Sequence, residues 1–211
     1  MTVSEIYTKY DIPLNLQEHM YRVAAVAESI ARKIPDLVNV DRLVRVCLVH
    51  DMGNIIKFDM EKYPPQDPRG VEYWVAVQKR FIDTYGAHEK EANHAIAKEL
   101  GLDQVSLRLL EGGFGFPLTC EILESEDYER KICTYADQRV AIDGVVPMQD
   151  RLERARVRYG FEKSEFAERM IGCYEELEQQ LAQLCSFEPV TITNESIQGY
   201  MDQYPTLTLD Y

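Results

Sequence analysis

"RVCLVHDMGNIIKFD", residues 45–59, decides how the rest of the chain is read. It continues an apolar helical pattern, with Leu43, Val46, Cys47 and His50 on one face of "VDRLVRVCLVHD", until Gly53 breaks the run. His50 and Asp51 stand side by side where that buried face ends. Burying either polar group costs free energy unless a partner satisfies it, and neither has an obvious one nearby in sequence. Adjacent helical positions point about 100° apart and do not ordinarily share a job. They share one when a metal ion sits between them, the long imidazole and the short carboxylate reaching it from either side. Such an ion needs further nitrogen and oxygen donors from other elements.

Working outward, the helical period persists almost throughout. "NLQEHMYRVAAVAESIARKI" starts with Asn15 as an expected N-cap and Glu18 as its capping-box partner. Leu16, Met20, Val23, Ala24, Ala27 and Ile30 then form a stripe, with His19 on its edge. The proline-rich stretch "KYPPQDPRG" is a loop. "VEYWVAVQKRFIDTYG" and "HEKEANHAIAKELG" are helices closed by Gly86 and Gly101, and "DQVSLRLLEGG" is a shorter one. "SEDYERKICTYADQRVAIDG" reads as one strong helix with Ile132, Cys133, Ala136 and Val140 on its apolar face. "MQDRLERARVRYG" and "SEFAERMIGCYEELEQQLAQLCS" complete the set, the last with Ser164 as N-cap. The fold class is therefore all-α: a bundle of about seven to nine helices over residues 1–186. Residues 187–211, β-branched and polar, are expected to form a loosely packed or partner-binding tail.

Bulk properties limit the function. A net charge of −13 argues against a nucleic acid polymer as partner, since such binding runs on phosphate neutralisation by Lys and Arg. A small phosphorylated substrate needs only local positive charge. No apolar run is long enough to cross a membrane, and "MTVSEIYTKYDIPLN" lacks the basic start and apolar stretch of a signal peptide. Cys47, Cys120, Cys133, Cys173 and Cys185 are odd in number and widely spaced, with no CxxC motif, so all five are expected to be reduced core thiols of a cytoplasmic protein.

The metal donors that complete His50 and Asp51 are sought among polar residues in apolar helical settings. His19 is one. Asp137 in "TYADQRV", set among Ala136, Val140 and Ala141, is the other, preferred over Asp143, which precedes Gly144 and looks like a helix-end residue. In this order and on these helices, His19, His50-Asp51 and Asp137 resemble the H…HD…D signature of the HD-domain superfamily of metal-dependent phosphohydrolases. "EHMYRVAAVA", "VHDMGN" and "YADQRV" are similar to the family's segments, over roughly residues 14–160. The resemblance implies one divalent ion (manganese, iron, cobalt, nickel, zinc or magnesium) held by His19, His50, Asp51 and Asp137. It also implies hydrolysis of a phosphate ester, often of a nucleotide, with Asp51 in the reaction. Many relatives carry a lysine where this chain has Asn54, and Lys57 follows one turn later. Relatives acting on deoxynucleoside monophosphates tend to have a glutamate there, which Asn54 cannot imitate as a base. Asn54 and Lys57 are nevertheless the nearest candidates for catalytic roles.

His88 and His94 formally extend the pattern to the binuclear branch of the same superfamily, which includes di-iron oxygenases. Six helical residues separate the two rings by about 120° and about 9 Å of rise, so at most one faces the metal. His88, near the start of its helix, is the better placed and is a candidate phosphate contact. Arg22 and Lys57 are either further phosphate contacts or surface residues, Arg22 as the partner of Glu18. Arg151, Arg154, Arg156 and Arg158 read as a solvated helix face, and Tyr73 with Trp74 as core. Three readings follow: a mononuclear phosphohydrolase, a binuclear iron oxygenase, or a metal-binding regulatory module without turnover. A homo-oligomer is compatible with each.

Overall fold

Helix α2 (Leu14–Ala31) is the axis of the molecule. Beyond the predicted stripe, Ala25, Val26 and Ala31 are also buried, so α2 is apolar on nearly every side and is enclosed by other elements. The computed structural model describes residues 1–62, 64–65, 67–114, 119–159 and 164–209. Among these, α1 (Val3–Lys9) precedes α2, and α3 (Val40–Cys47) and α8 (Tyr128–Gln138) pack along it. A 3-10 turn (Asn54–Lys57) follows α3. Then come α4 (Val71–Tyr85), α5 (Glu89–Glu99), α6 (Gln104–Gly112) and α7 (Thr119–Ile122). After α8 a two-residue hairpin pairs β1 (Val140–Ala141) with β2 (Gly144–Val145), and α9 (Met148–Tyr159), α10 (Glu165–Cys185) and α11 (Asn194–Met201) finish the chain. The fold is all-α, with more helical segments than expected because α1, α7 and α11 are too short to show a clear period.

Several boundaries differ from expectation. α2 begins at Leu14 with Pro13 at the N-cap position, so Asn15 lies inside the helix and no capping box forms. Asp11, in the left-handed region at φ +53°, turns the chain into Pro13 and fixes this earlier start. Glu18 instead pairs with Arg22 at 3.0 Å. α8 stops at Gln138 rather than running on to Gly144, because the chain reverses through the two-residue loop Ile142-Asp143 and pairs Val140-Ala141 with Gly144-Val145. Ser164 does occupy the N-cap position of α10.

The thiol expectation fails in part. Cys47, Cys133 and Cys185 are free and buried, but Cys120 of α7 and Cys173 of α10 form a disulfide with Cα atoms 5.2 Å apart. The two cysteines are 53 residues apart, and only the packing of α7 on α10 brings them together. The inference of a cytoplasmic setting from five free thiols loses that support. No described helix is long and apolar enough to cross a membrane.

Residues 187–209 are not loosely packed. α11 lies against α2, and Ile197, Tyr204 and Leu209 are buried. Tyr204 donates to the buried carboxylate of Glu28 on α2 at 2.6 Å. Leu207 O accepts from Val3 N at 2.9 Å, joining this segment to α1. Arg139, only 1% exposed, donates to the carbonyls of Val146, Pro189 and Ile192 at 2.6, 2.6 and 2.9 Å and to the Tyr135 hydroxyl at 2.7 Å. Its donors meet oxygens on several sides, which offsets the cost of burying the guanidinium.

Two further contacts set the frame of the site. Asn39 caps α3 by accepting from Arg42 N. The Arg42 guanidinium then grips Glu129 of α8 through two bonds of 2.8 and 2.6 Å. This fork fixes α3, which leads into His50, against α8, which carries Asp137.

Candidate metal centre

His50 and Asp51 do not lie on a helix. α3 ends at Cys47, and the chain passes through a tight turn in which Val49 N bonds Val46 O (3.1 Å) and Asn54 N bonds Asp51 O (3.0 Å). A turn frees the two side chains from the 100° helical spacing, so both reach one point without strain. Gly53 makes that turn possible: a Cβ there would lie 2.6 Å from Ala92 Cβ and 2.9 Å from Glu89 O, so only glycine lets the turn seat on α5.

His50 is 2% exposed. Its Nδ1 lies 2.7 Å from Cys47 O, and a carbonyl only accepts, so Nδ1 carries the proton. In the neutral ring Nε2 is then a bare lone pair, and this buried atom has no hydrogen-bond partner among the described residues. It points at two carboxylates, 3.6 Å from Asp51 Oδ2 and 3.9 Å from Asp137 Oδ1. His19, one-fifth exposed on α2, places Nε2 at 3.6 Å from Asp51 Oδ2 and 3.3 Å from Asp137 Oδ1. Phe114 stacks on the His50 ring with centroids 4.3 Å apart and fixes its plane. Burial alone would raise the Asp137 carboxyl. The His19 hydrogen bond, with the charge of Arg151 and of the two imidazoles when they are protonated, outweighs it and holds that group well below the usual carboxylate range.

The donor set fits a cation. One ligand atom each from His19, His50 and Asp51 lie within 4.8 Å of one another, a spacing a single ion can bridge. A buried imidazole lone pair facing carboxylates is satisfied by a metal ion and not by another acceptor. The donors are themselves held in place: Cys47 O orients His50, and Gln138 Nε2 lies 3.3 Å from Asp137 Oδ2.

The remaining sequence candidates are scattered. Asn54 is 4% exposed, and its Oδ1 is buried without a hydrogen-bond partner among the described residues. Lys57 is exposed at the end of the 3-10 turn. Arg22 lies one turn from His19 but is engaged by Glu18. His88 is exposed at the N-cap position of α5, without a side-chain cap bond. His94 Nδ1 meets Glu111 of α6 at 2.8 Å, and neither of these two histidines joins the donor group among the described residues. Trp74 is fully buried, as expected of core. The Arg158 side chain lies outside the described residues. Sequence reasoning missed Phe114, the Cys47 carbonyl and Arg151. Phe114 and Cys47 carried no signal, and Arg151 depended on seeing the hairpin.

The all-α bundle thus brings an imidazole of α2 and an imidazole and a carboxylate of the turn after α3 to one point, where they could hold a metal ion. A profile described as the HD domain matches residues 6–169, and the chain belongs to that family, whose members are generally metal-dependent phosphohydrolases. No curated protein and no solved structure matches the chain.

Proposed function

We propose that this protein is a mononuclear metal-dependent phosphohydrolase acting on a small phosphorylated metabolite, with a nucleotide preferred. The ligands are His19, His50, Asp51 and Asp137. The bare, buried Nε2 of His50, aimed at two carboxylates, carries this reading. When bound, the ion supplies an ionised water near neutral pH and positive charge for a phosphoryl oxygen. The chain's own residues do the rest. Cys47 O and Phe114 hold the His50 ring, and the Arg42–Glu129 fork keeps α3 and α8 in register. His19, Asp51 and Asp137 are each about one-fifth exposed, so a substrate reaches the cluster from that side. Asp51 acts in the reaction as well as in ligation. The preference for a nucleotide rests on the family, and the absence of a polymer partner on the −13 charge.

The test is a screen of phosphomonoesters and phosphodiesters with tag-free protein, with and without EDTA, alongside Asp51→Ala. Turnover that needs metal and vanishes in Asp51→Ala supports the proposal. Metal binding with no turnover on any ester replaces it with a regulatory module. Oxygen consumption with two irons per chain replaces it with an oxygenase.

A further inference from the structure

Arg151 is set apart from Arg154 and Arg156 by the fold. Arg154 is exposed and paired with Asp143 at 2.8 Å, and Arg156 is paired with Glu153 at 3.4 Å. Arg151, in the first full turn of α9, points back onto the protein instead. Its Nε donates to Val140 O at 3.2 Å. Val140 lies three residues beyond Asp137, in β1, and β1 packs against α2, the helix of His19. This carbonyl therefore docks the guanidinium where α8 and α2 meet, beside the metal cluster. Among the described residues Arg151 has no carboxylate partner, and no further bond is made by its two terminal nitrogens.

We propose that Arg151 binds a phosphoryl oxygen of the substrate at the metal centre. The inference rests on the hydrolase reading above and names the residue that supplies its missing positive charge. Two carboxylates and one divalent ion sum to no net charge, so the phosphate of a substrate is left unmatched in a chain of −13. Arg22 is held by Glu18, and Lys57 is exposed, with no hydrogen bond or ion pair among the described residues fixing its direction. Arg151 is oriented by a backbone carbonyl through Nε, which leaves the Nη pair free as a planar fork suited to two phosphate oxygens.

The experiment measures binding of inorganic phosphate to metal-loaded wild type, Arg151→Gln, Arg151→Lys and Arg154→Gln, with metal content and melting temperature on each. Arg154→Gln removes the same charge from the same helix and serves as the control. The expected result is at least about tenfold weaker phosphate binding in Arg151→Gln, roughly 1.4 kcal/mol. Partial recovery is expected in Arg151→Lys and wild-type binding in Arg154→Gln, with metal content unchanged throughout. On any ester the wild type turns over, KM rises in Arg151→Gln. Equal phosphate binding in Arg151→Gln and wild type overturns the inference while leaving the hydrolase reading intact. Loss of metal in Arg151→Gln also overturns it, assigning Arg151 to support of Asp137. Phosphate binding that depends on Arg151 in a protein with no hydrolysis retains the inference and ends the hydrolase reading. A wild type that neither binds phosphate nor hydrolyses esters ends both.

Discussion

His50 donates its Nδ1 proton to the carbonyl of Cys47, 2.7 Å away and three residues earlier, at the last residue of α3. The end of a helix thus sets the tautomer of the ring, because an orphan C-terminal carbonyl takes the proton that would otherwise compete for the metal-facing nitrogen. Wild type purified without chelator or histidine tag is expected to carry one divalent ion per chain. His50→Ala should lose it by more than the roughly 10–100-fold that removal of a supporting residue causes. Metal analysis after gel filtration decides this. Two irons per chain in wild type would replace the mononuclear centre with a binuclear one.

His94 gives the complementary test. Its ring is engaged by Glu111 and stands outside the donor group. His94→Ala should change kcat/KM by less than about threefold, some 0.6 kcal/mol. Complete loss of turnover with the fold intact would put His94 at a metal.

Asp11 predicts how stability falls in acid. Burial alone would raise its carboxyl, but hydrogen bonds from Tyr73 and Arg80, with the charges of Arg80 and Arg69, hold it below its ordinary value. A carboxyl depressed on folding contributes stability that is present above the unfolded value, about 3.9, and lost as pH falls through the folded one. Asp11→Asn tolerates the left-handed backbone and removes only the charge. It should be less stable than wild type by about 1–2 kcal/mol at neutral pH, the modest end because Arg80 is half exposed and screened. The gap should close below about pH 4. Urea titrations at pH 7 and pH 3 measure it, and an equal gap at both would refute the assignment.

Arg139 joins α8 to the C-terminal segment. Arg139→Ala leaves the buried carbonyls of Val146, Pro189 and Ile192 without their donor. Each such loss costs about 1–3 kcal/mol, so melting should drop by about 6–12 °C if the total is near 3 kcal/mol. A shift under a few degrees, read by calorimetry, would show that the C-terminal segment is held chiefly by its apolar contacts.

The disulfide of Cys120 and Cys173 closes a loop between residues 53 apart. Cys120→Ser with Cys173→Ser should therefore lower stability by about 2–4 kcal/mol under oxidising conditions. Thiol titration of the denatured, unreduced wild type should find the three free cysteines, Cys47, Cys133 and Cys185. Five would show that the pair is reduced.

The long helices were legible because their apolar residues repeat at the helical period: α2, α4, α5 and α10 lie close to where that period puts them. His19, His50, Asp51 and Asp137 were legible because polar residues on apolar faces stand out, and they do converge. What failed was local. His50-Asp51 looked helical because Leu48, Val49 and Met52 are buried and apolar, yet a buried turn has the same composition as a buried helix. Val140 fitted the stripe of α8 equally well as the first residue of a strand. Arg151 looked like its neighbours, since a single sequence does not show which arginine of a helix bonds back onto the protein. The C-terminal segment was misread because its apolar anchors, Ile197, Tyr204 and Leu209, are spaced by turns rather than by any period.

The bond from Tyr204 to Glu28 spans 176 residues. During synthesis, at about 5–20 residues per second, α2 therefore waits roughly 10–35 s between its own emergence and the arrival of the segment that covers it. Throughout that interval the carboxylate of Glu28 lacks its tyrosine, and the side of α2 that α11 will bury stands open. His19, on the same helix, meets Asp137 only once α8 has followed, so the candidate metal centre cannot assemble before that helix is made. A chain stalled before residue 194 would present an uncovered apolar helix, and aggregation would be its first hazard.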